Sequence, residues 1–197
     1  NSISIGLIYD NIKFINNSIY LSAKGIGILT FNRDGKILRK IGSIGRGPGE
    51  YAYCFNITVD YNTETTYNMD QSNIKVYSKT GDFLRSISLK EYGGNIDKIE
   101  SYSSKLFASY LLQSGDAKYD WIILDTSGKL IKKKERTLPT FNSNWFEGGG
   151  TYVFDHKLSY WNQYVDTVFS ILSDLSYKAS FIFSPGEHRL PKSNIVD

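Results

Sequence analysis

The amino-acid sequence predicts an all-β fold, a β-propeller of four-stranded antiparallel blades with about four blades present. The first observation is composition: 15% of the 197 residues are aromatic, mostly tyrosine, and aromatic side chains fit the half-buried surface of a sheet. The second observation is a turn that recurs every 46 or 47 residues. The third is that no stretch shows the apolar period of an amphipathic helix.

The recurring turn contains a glycine that is preceded, four residues earlier, by an apolar residue. Its copies are Asn32–Lys36, Ser78–Asp82 and Asp125–Lys129, with a fainter copy in which Leu175 replaces the glycine. This spacing suits a four-stranded blade, because repeats of ~40–50 residues are typical of propellers. A blade buries its faces only against other blades, so we expect the repeats to stack radially. A β-sandwich of short strands is the alternative, but it gives no reason for a regular recurrence.

Each repeat contains four runs of alternating apolar and polar residues, as half-buried strands require. The second repeat shows this most clearly, since Phe55, Ile57 and Val59 alternate with polar neighbours in its innermost strand. We therefore predict one propeller domain over residues 1–197, with blades at about 10–45, 54–90, 95–136 and 150–184 and a tail, 185–197, that leads to further blades. The predicted strands are 12–15, 18–23, 26–31 and 37–41; 55–59, 65–69, 74–77 and 83–89; 96–102, 106–112, 119–124 and 129–134; and 151–156, 158–162, 166–171 and 177–183.

Composition also limits the possible functions. Cys54 is the only cysteine, which excludes an internal disulfide and a cysteine-ligated zinc site, and we interpret it as a small core residue. The net charge of +3 does not argue for nucleic-acid binding. No apolar run approaches the ~20 residues of a membrane helix. The only methionine is Met69, so we expect the chain not to begin at its own start codon and any membrane anchor to lie outside it.

Two stretches resemble a known family. Lys40–Tyr51 reads KIGSIGRGPGEY and resembles the G-x-G-P-G-E-[FY] blade junction of NHL-type propellers. More closely, it resembles the six-bladed propeller lipoproteins of unknown function common in Bacteroidetes. Asn162–Ile171, followed by Pro185-Gly186 and Leu190-Pro191, is similar to a second signature of that group. Ser22–Gly25 departs from the family pattern, which usually has an Asp-containing turn there, and so does Ser184–Gly186, where the family has a plainer glycine step.

The resemblance covers nearly the whole chain and implies a ring of six blades, of which this chain supplies about four; a complete four-bladed ring is the alternative. It also implies an exported, lipid-anchored protein of the cell envelope, in the periplasm or on the outer-membrane surface, beside nutrient-uptake machinery. None of these properties follows from composition or spacing.

The glycine-rich loop Gly42–Glu50 is the first candidate for chemistry. It lacks the Gly-Lys-Ser/Thr ending of a phosphate-binding loop, and no helix follows it. We interpret it as the crossing from the outer strand of one blade to the inner strand of the next. Because propellers bind ligands at the ends of the ring, Arg46, Glu50 and Tyr51 are candidate contact residues.

The second candidate is the aromatic junction Thr137–Gly150, which contains Trp145 and Phe146 and ends in three glycines. Exposed aromatic residues on such a loop suit stacking on a sugar or peptide, or a protein interface. Trp161 in the next blade is a further candidate contact. Alternatively, Trp145 and Phe146 fill the gap between two blades.

Other motifs favour structural roles. His156 and His188 have no carboxylate at a ligand spacing, so we predict no metal site and no cofactor. Asp60, Asp70, Asp125 and Asp155 end apolar strands and are predicted to cap turns; convergence on a central Ca²⁺ is the alternative, but the four occupy different strand positions in their blades. The lysine run 132–134 with Arg136 is interpreted as a charged outer strand that opposes edge-to-edge aggregation. Within that run, Lys132 and Lys134 should point to one side and Lys133 to the other.

We predict a non-catalytic binding or scaffold propeller that presents its inter-blade loops to a glycan, a peptide or a partner protein of an outer-membrane uptake complex. The first alternative is a metal-dependent propeller lyase or hydrolase. The second is a structural subunit that binds no small ligand.

Overall fold

The computed structural model of the chain describes residues 5–93, 95–111, 117–136, 149–155, 157–162, 165–184 and 186. Within these ranges the chain forms sixteen β-strands and one short 3-10 helix, Lys90–Tyr92. None of the helices described there has the length and apolar character of a membrane span. The chain divides into two compact units, residues 1–91 and 92–197, each built from two sheets.

The first unit contains blades one and two, each a sheet whose strands lie side by side in chain order. All neighbouring strands in both blades are antiparallel, and the innermost strands of the two blades contact each other. Blade one consists of β1 (Ile8–Ile15), β2 (Ser18–Ala23), β3 (Gly27–Asn32) and β4 (Ile37–Ile41). Blade two consists of β5 (Ile57–Val59), β6 (Thr66–Asp70), β7 (Asn73–Tyr77) and β8 (Phe83–Ser88).

The second unit repeats this plan in blades three and four, again with antiparallel neighbours and contacting innermost strands. Blade three consists of β9 (Ile96–Tyr102), β10 (Lys105–Tyr110), β11 (Tyr119–Asp125) and β12 (Leu130–Glu135). Blade four consists of β13 (Gly150–Phe154), β14 (Lys157–Trp161), β15 (Thr167–Ile171) and β16 (Tyr177–Ile182). The predicted fold class, a propeller of four-stranded antiparallel blades, is confirmed.

The recurring turn has one geometry in all four blades. Gly35, Gly81, Gly128 and Leu175 have φ of 78°, 97°, 99° and 64°. In each copy, the amide of this residue donates a hydrogen bond to the carbonyl of the residue three positions earlier. The amide of that residue donates in turn to the carbonyl of the residue that follows the turn. All of these bonds are 2.8 to 3.1 Å long. Leu175 adopts the left-handed conformation although it has a Cβ, which costs about 1–2 kcal/mol. The fourth, fainter copy is therefore a true repeat of the turn.

Each unit has an apolar core between its two blades. In the first unit this core contains Tyr20, Ile28, Ile41, Tyr51, Cys54, Ile57, Val59 and Tyr77. In the second unit it contains Tyr102, Phe107, Trp121, Ile123, Leu158, Tyr160 and Ile171. The interpretation of Cys54 as a core residue is confirmed, and burial raises the pKa of its thiol to about 11.

The lysine run on β12 links blades three and four. Lys132 Nζ donates to the carbonyl of Leu175, and Lys134 Nζ donates to the Tyr177 hydroxyl at 2.9 Å. Lys133 points the other way, to Glu135 at 2.8 Å and over the Tyr119 ring. The predicted alternation is therefore confirmed. The run lies on the outer strand of blade three, as predicted, and Lys132 and Lys134 also bond to blade four; its effect on edge-to-edge aggregation stays a prediction.

The innermost strand of blade two begins later than predicted. β5 starts at Ile57, and Phe55 precedes it with 51% of its surface exposed. Cys54 and Ile57 take the two core positions in this stretch, so Phe55 is left pointing outward. Exposed and buried residues alternate from Tyr53 to Asn56, whereas all three residues of β5 are buried.

Candidate functional site

The junction between blades one and two, residues 42–51, folds back on itself. The Tyr51 amide donates to the Ser43 carbonyl at 3.0 Å, and the Gly45 amide donates to the Tyr51 carbonyl at 3.0 Å. The Gly42 amide donates to the carbonyl of Gly81, in the recurring turn of blade two, at 3.1 Å. Four backbone positions of the junction are thereby fixed, three of them to each other and one to blade two, as expected for a structural crossing between blades.

The Glu50 side chain stabilises this loop by accepting hydrogen bonds from two of its residues. One carboxylate oxygen accepts the Gly47 amide at 2.7 Å, and the other accepts the Ser43 hydroxyl at 3.3 Å. A Cβ at position 45 would overlap the Glu50 carboxylate, so a side chain there would displace the carboxylate from its hydrogen bonds. Glu50 therefore shapes the loop, and a contact between Glu50 and a ligand stays a prediction.

Tyr51 lies in the core between blades one and two. Its hydroxyl donates to the Ile41 carbonyl and accepts the Ile28 amide, both at 3.0 Å, and its ring meets the Tyr77 ring edge-on. Burial raises its pKa far above the ordinary tyrosine value. The side chain is fully buried, so it offers no surface for the predicted ligand contact; it positions the loop instead.

Arg46 has the exposure that a contact residue needs. Its side chain is exposed at the tip of the loop, with Ile44 and Pro48 exposed two residues to either side. Among the residues that the structure describes, no hydrogen bond or ion pair engages its guanidinium group. We call Ile44, Arg46 and Pro48 the junction surface.

Trp161 belongs to the second unit, at the end of β14, and is 40% exposed. Its indole lies over Gly150 of the paired strand, where a Cβ would overlap the ring nitrogen. The Gly149 amide donates to the Asp97 carboxylate at 2.6 Å, and burial raises the pKa of Asp97. These two glycines are therefore held against neighbouring strands. Trp145 and Phe146 lie outside the described residues, and their contact role stays a prediction.

The predicted turn-capping aspartates behave in two ways. Asp60 accepts the amides of Asn62 and Thr63, and Asp125 accepts those of Ser127 and Lys129, so the prediction is confirmed for both. Asp70 instead accepts amides from the segment that precedes β5. Asp155 pairs with Lys157 at 3.3 Å.

The described residues contain no group of three or more histidine, cysteine, aspartate or glutamate side chains that could hold a metal ion. Both histidines, His156 and His188, lie outside those residues.

Sequence reasoning missed an aromatic cluster in the first unit, formed by Tyr9, Tyr53 and Phe55. Tyr53 and Phe55 alternate with the buried Cys54. This alternation is visible in the sequence, but the predicted strand 55–59 includes only Phe55 of these residues.

Solved structures with the same fold come from several bacteria. An exported protein from Bacteroides fragilis has a TM-score of 0.72 at 19% identity, covering 93% of this chain and 53% of that one. Virginiamycin B lyase from Staphylococcus aureus has a TM-score of 0.60 at 14% identity, covering 88% and 55%. A DUF4221 family member from Bacteroides vulgatus has a TM-score of 0.58 at 14% identity, covering 92% and 59%.

At these identities the likeness shows the fold alone, and the chain spans between a half and three-fifths of the length of each structure. No curated protein matches the sequence. A family model described as a domain of unknown function, DUF4934, matches residues 3–197.

Proposed function

Because the chain belongs to the DUF4934 family of propellers of unknown function, we propose that it forms part of an exported, non-catalytic β-propeller whose inter-blade loops bind a ligand or a partner. The observation that carries this proposal is the junction surface. Glu50 fixes the loop from within, while Ile44, Arg46 and Pro48 remain exposed. A loop that is already ordered loses little conformational entropy on binding, and arginine is enriched in binding interfaces.

The bound species in this proposal is a glycan, a peptide or a partner protein of an outer-membrane uptake complex. To test the contact, the full chain is screened on arrays of glycans and of peptides. We expect Arg46→Ala to weaken the interaction found by at least ~10-fold, as loss of a central arginine contact does. The control is Arg33→Ala, another exposed arginine of the first unit, which should leave affinity unchanged. A folded chain that binds nothing on either array would exclude the glycan and the peptide, and binding that is indifferent to Arg46 would contradict the proposed contact.

The proposed ring has six NHL-type blades. Blade four supports this proposal. One face of its sheet forms the core with blade three, and the other face is directed away from that core. That face carries Tyr152, Phe154 and Phe181, which are 46%, 75% and 58% exposed. A propeller blade buries both faces against neighbours, so a fifth blade of the same polypeptide is the occupant that fits. The greater length of the similar structures agrees with this continuation.

The proposed location is the cell envelope, in the periplasm or on the outer-membrane surface, through a lipid anchor. The exported B. fragilis protein with the same fold supports this location. We expect the native protein, extracted from its source, to partition into detergent and to have an intact mass well above the 22.4 kDa of this chain, with acyl chains attached. A soluble, unmodified species of 22.4 kDa would overturn both the anchor and the larger ring.

A further inference from the structure

Three aromatic rings of the first unit form one cluster. The Tyr9 and Phe55 ring centroids are 4.7 Å apart at an interplanar angle of 80°, and the Tyr53 and Phe55 centroids are 5.4 Å apart at 27°. Tyr9 comes from β1, and the other two precede β5, so the cluster bridges the innermost strands of blades one and two. We call these three residues the aromatic platform.

Two of the three platform rings are open to solvent, whereas Tyr9 is partly buried and packs against the core of the first unit. Phe55 is 51% and Tyr53 44% exposed, while Cys54 between them is buried. Apolar aromatic surface costs free energy when it is left in water. Exposure of two neighbouring rings is therefore a feature that a ligand would explain.

The backbone beneath the platform is held in place. One Asp70 carboxylate oxygen accepts the amides of Ala52 and Tyr53, each at 3.1 Å. The Asn68 side-chain amide donates to the Tyr53 carbonyl at 2.8 Å, and the Met69 amide donates to the Asn56 carbonyl at 2.9 Å. Strand β6 thus anchors the segment at both ends of the aromatic pair. A ligand meeting it would not have to order the loop first.

The size and chemistry of the platform limit its ligand. Two or three partly exposed rings offer a few hundred Å² at most, well below the ~800 Å² that each partner buries in a stable protein interface. Among the residues that the structure describes, no hydrogen-bond partner engages the Tyr9 or Tyr53 hydroxyl. Ring faces attract C–H groups that carry partial positive charge, and free hydroxyls exchange hydrogen bonds with ligand hydroxyls.

We propose that the aromatic platform binds a neutral saccharide, with one sugar ring stacked on Tyr53, whose ring is itself stacked with Phe55, and with the sugar hydroxyl groups bonded to the tyrosine hydroxyls. A pyranose ring presents both C–H faces and hydroxyl edges, which matches this combination of groups. The inference rests on the proposed binding role of the propeller, but it uses side chains other than Arg46.

The test is titration of the full chain with neutral hexasaccharides of glucose, mannose, galactose and xylose, followed by calorimetry and by ligand-observed NMR saturation transfer. We expect one of these series to bind with a roughly millimolar or lower dissociation constant. Tyr53→Ala should weaken that binding by at least ~10-fold, because it removes a stacking face. Tyr53→Phe, which keeps the ring and loses the hydroxyl, should weaken it by about 3-fold.

The matched control is Tyr61→Ala. Tyr61 is 64% exposed and follows β5 at the end opposite Phe55, so its loss should leave affinity within 2-fold. No binding by any of the four series, equal binding by Tyr53→Ala and wild type, or binding of proline-rich peptides but no saccharide at these rings would each overturn the inference. If saccharides fail here while Arg46→Ala still disrupts another interaction, the proposed function stands without the platform.

Discussion

Replacement of Asp120 by asparagine is expected to destabilise the chain by about 3 kcal/mol, because it removes the carboxylate from a buried ion cluster. Asp120 lies on β11 with its side chain 5% exposed. Lys134 Nζ is 3.2 Å from one carboxylate oxygen, and Arg136 Nε is 3.9 Å from the other. The Arg136 side chain is only 4% exposed, so without Asp120 a guanidinium charge stays buried beside a neutral amide.

Asp155→Asn is the matched control for this prediction. Asp155 also pairs with a lysine, at 3.3 Å, but both side chains are about half exposed or more. Exposed pairs contribute less than ~1 kcal/mol, and asparagine tolerates the φ of 47° at this position. Urea unfolding followed by tryptophan fluorescence measures both variants. Equal shifts of the urea midpoint in the two variants would show that burial of Asp120 does not determine its contribution to the stability of the fold.

Local features of this fold were predictable from the sequence. The recurring turn needs a residue at positive φ and side-chain acceptors for its free amides, and both requirements act within five residues. Asn32, Ser78 and Asp125 each accept two such amides, which is why the three strong copies look alike in the sequence. Once the turns are located, the strands between them follow from alternation.

Long-range partners were not predictable in the same way. In the sequence, Lys134 and Arg136 look like part of a solvated basic run. In the structure, Asp120 of β11 lies beside both side chains. The alternation of side chains along an extended chain predicts that Phe55 and Cys54 point in opposite directions. It does not predict which of the two contacts a neighbouring blade. The candidate site was predicted only in part for this reason: the exposure of Arg46 fits its predicted role, whereas Tyr51 is buried.

Glu64 is another residue whose role depends on distant partners. It lies in the β5–β6 turn of blade two at a φ of 55°, with a side chain 10% exposed. One carboxylate oxygen accepts hydrogen bonds from Lys79 Nζ at 2.8 Å and from the side-chain amide of Asn16 at 3.2 Å; the other accepts the Tyr20 hydroxyl at 3.0 Å. Asn16 and Tyr20 belong to blade one, so this carboxylate joins the two blades of the first unit.

These hydrogen bonds make the stability of the chain dependent on pH. The bond from Lys79 is the largest cause that lowers the pKa of Glu64 from its ordinary value of 4.5; burial opposes the shift, and the bonds from Asn16 and Tyr20 add to it. A carboxyl group whose pKa is lower in the folded state stabilises the fold at pH values above its unfolded pKa, and this stabilisation is lost as the pH falls through the folded pKa.

Glu64→Gln is therefore expected to cost about 2 kcal/mol at pH 7, since hydrogen bonds to a charged group contribute about 1.5–3 kcal/mol. Glutamine keeps the length of the side chain, removes the charge and replaces one of the two accepting oxygens by an NH2 group. As the pH falls from the ordinary value of 4.5 through the lowered pKa of the folded state, the carboxylate of the wild type is protonated, so the free energies of unfolding of the two proteins should approach each other. Urea unfolding at pH 7, 5 and 3 measures this, with Glu91→Gln as an exposed control that should follow the wild type. A difference that stays constant from pH 7 to pH 3 would show that side-chain shape, and not the charge of Glu64, joins the two blades.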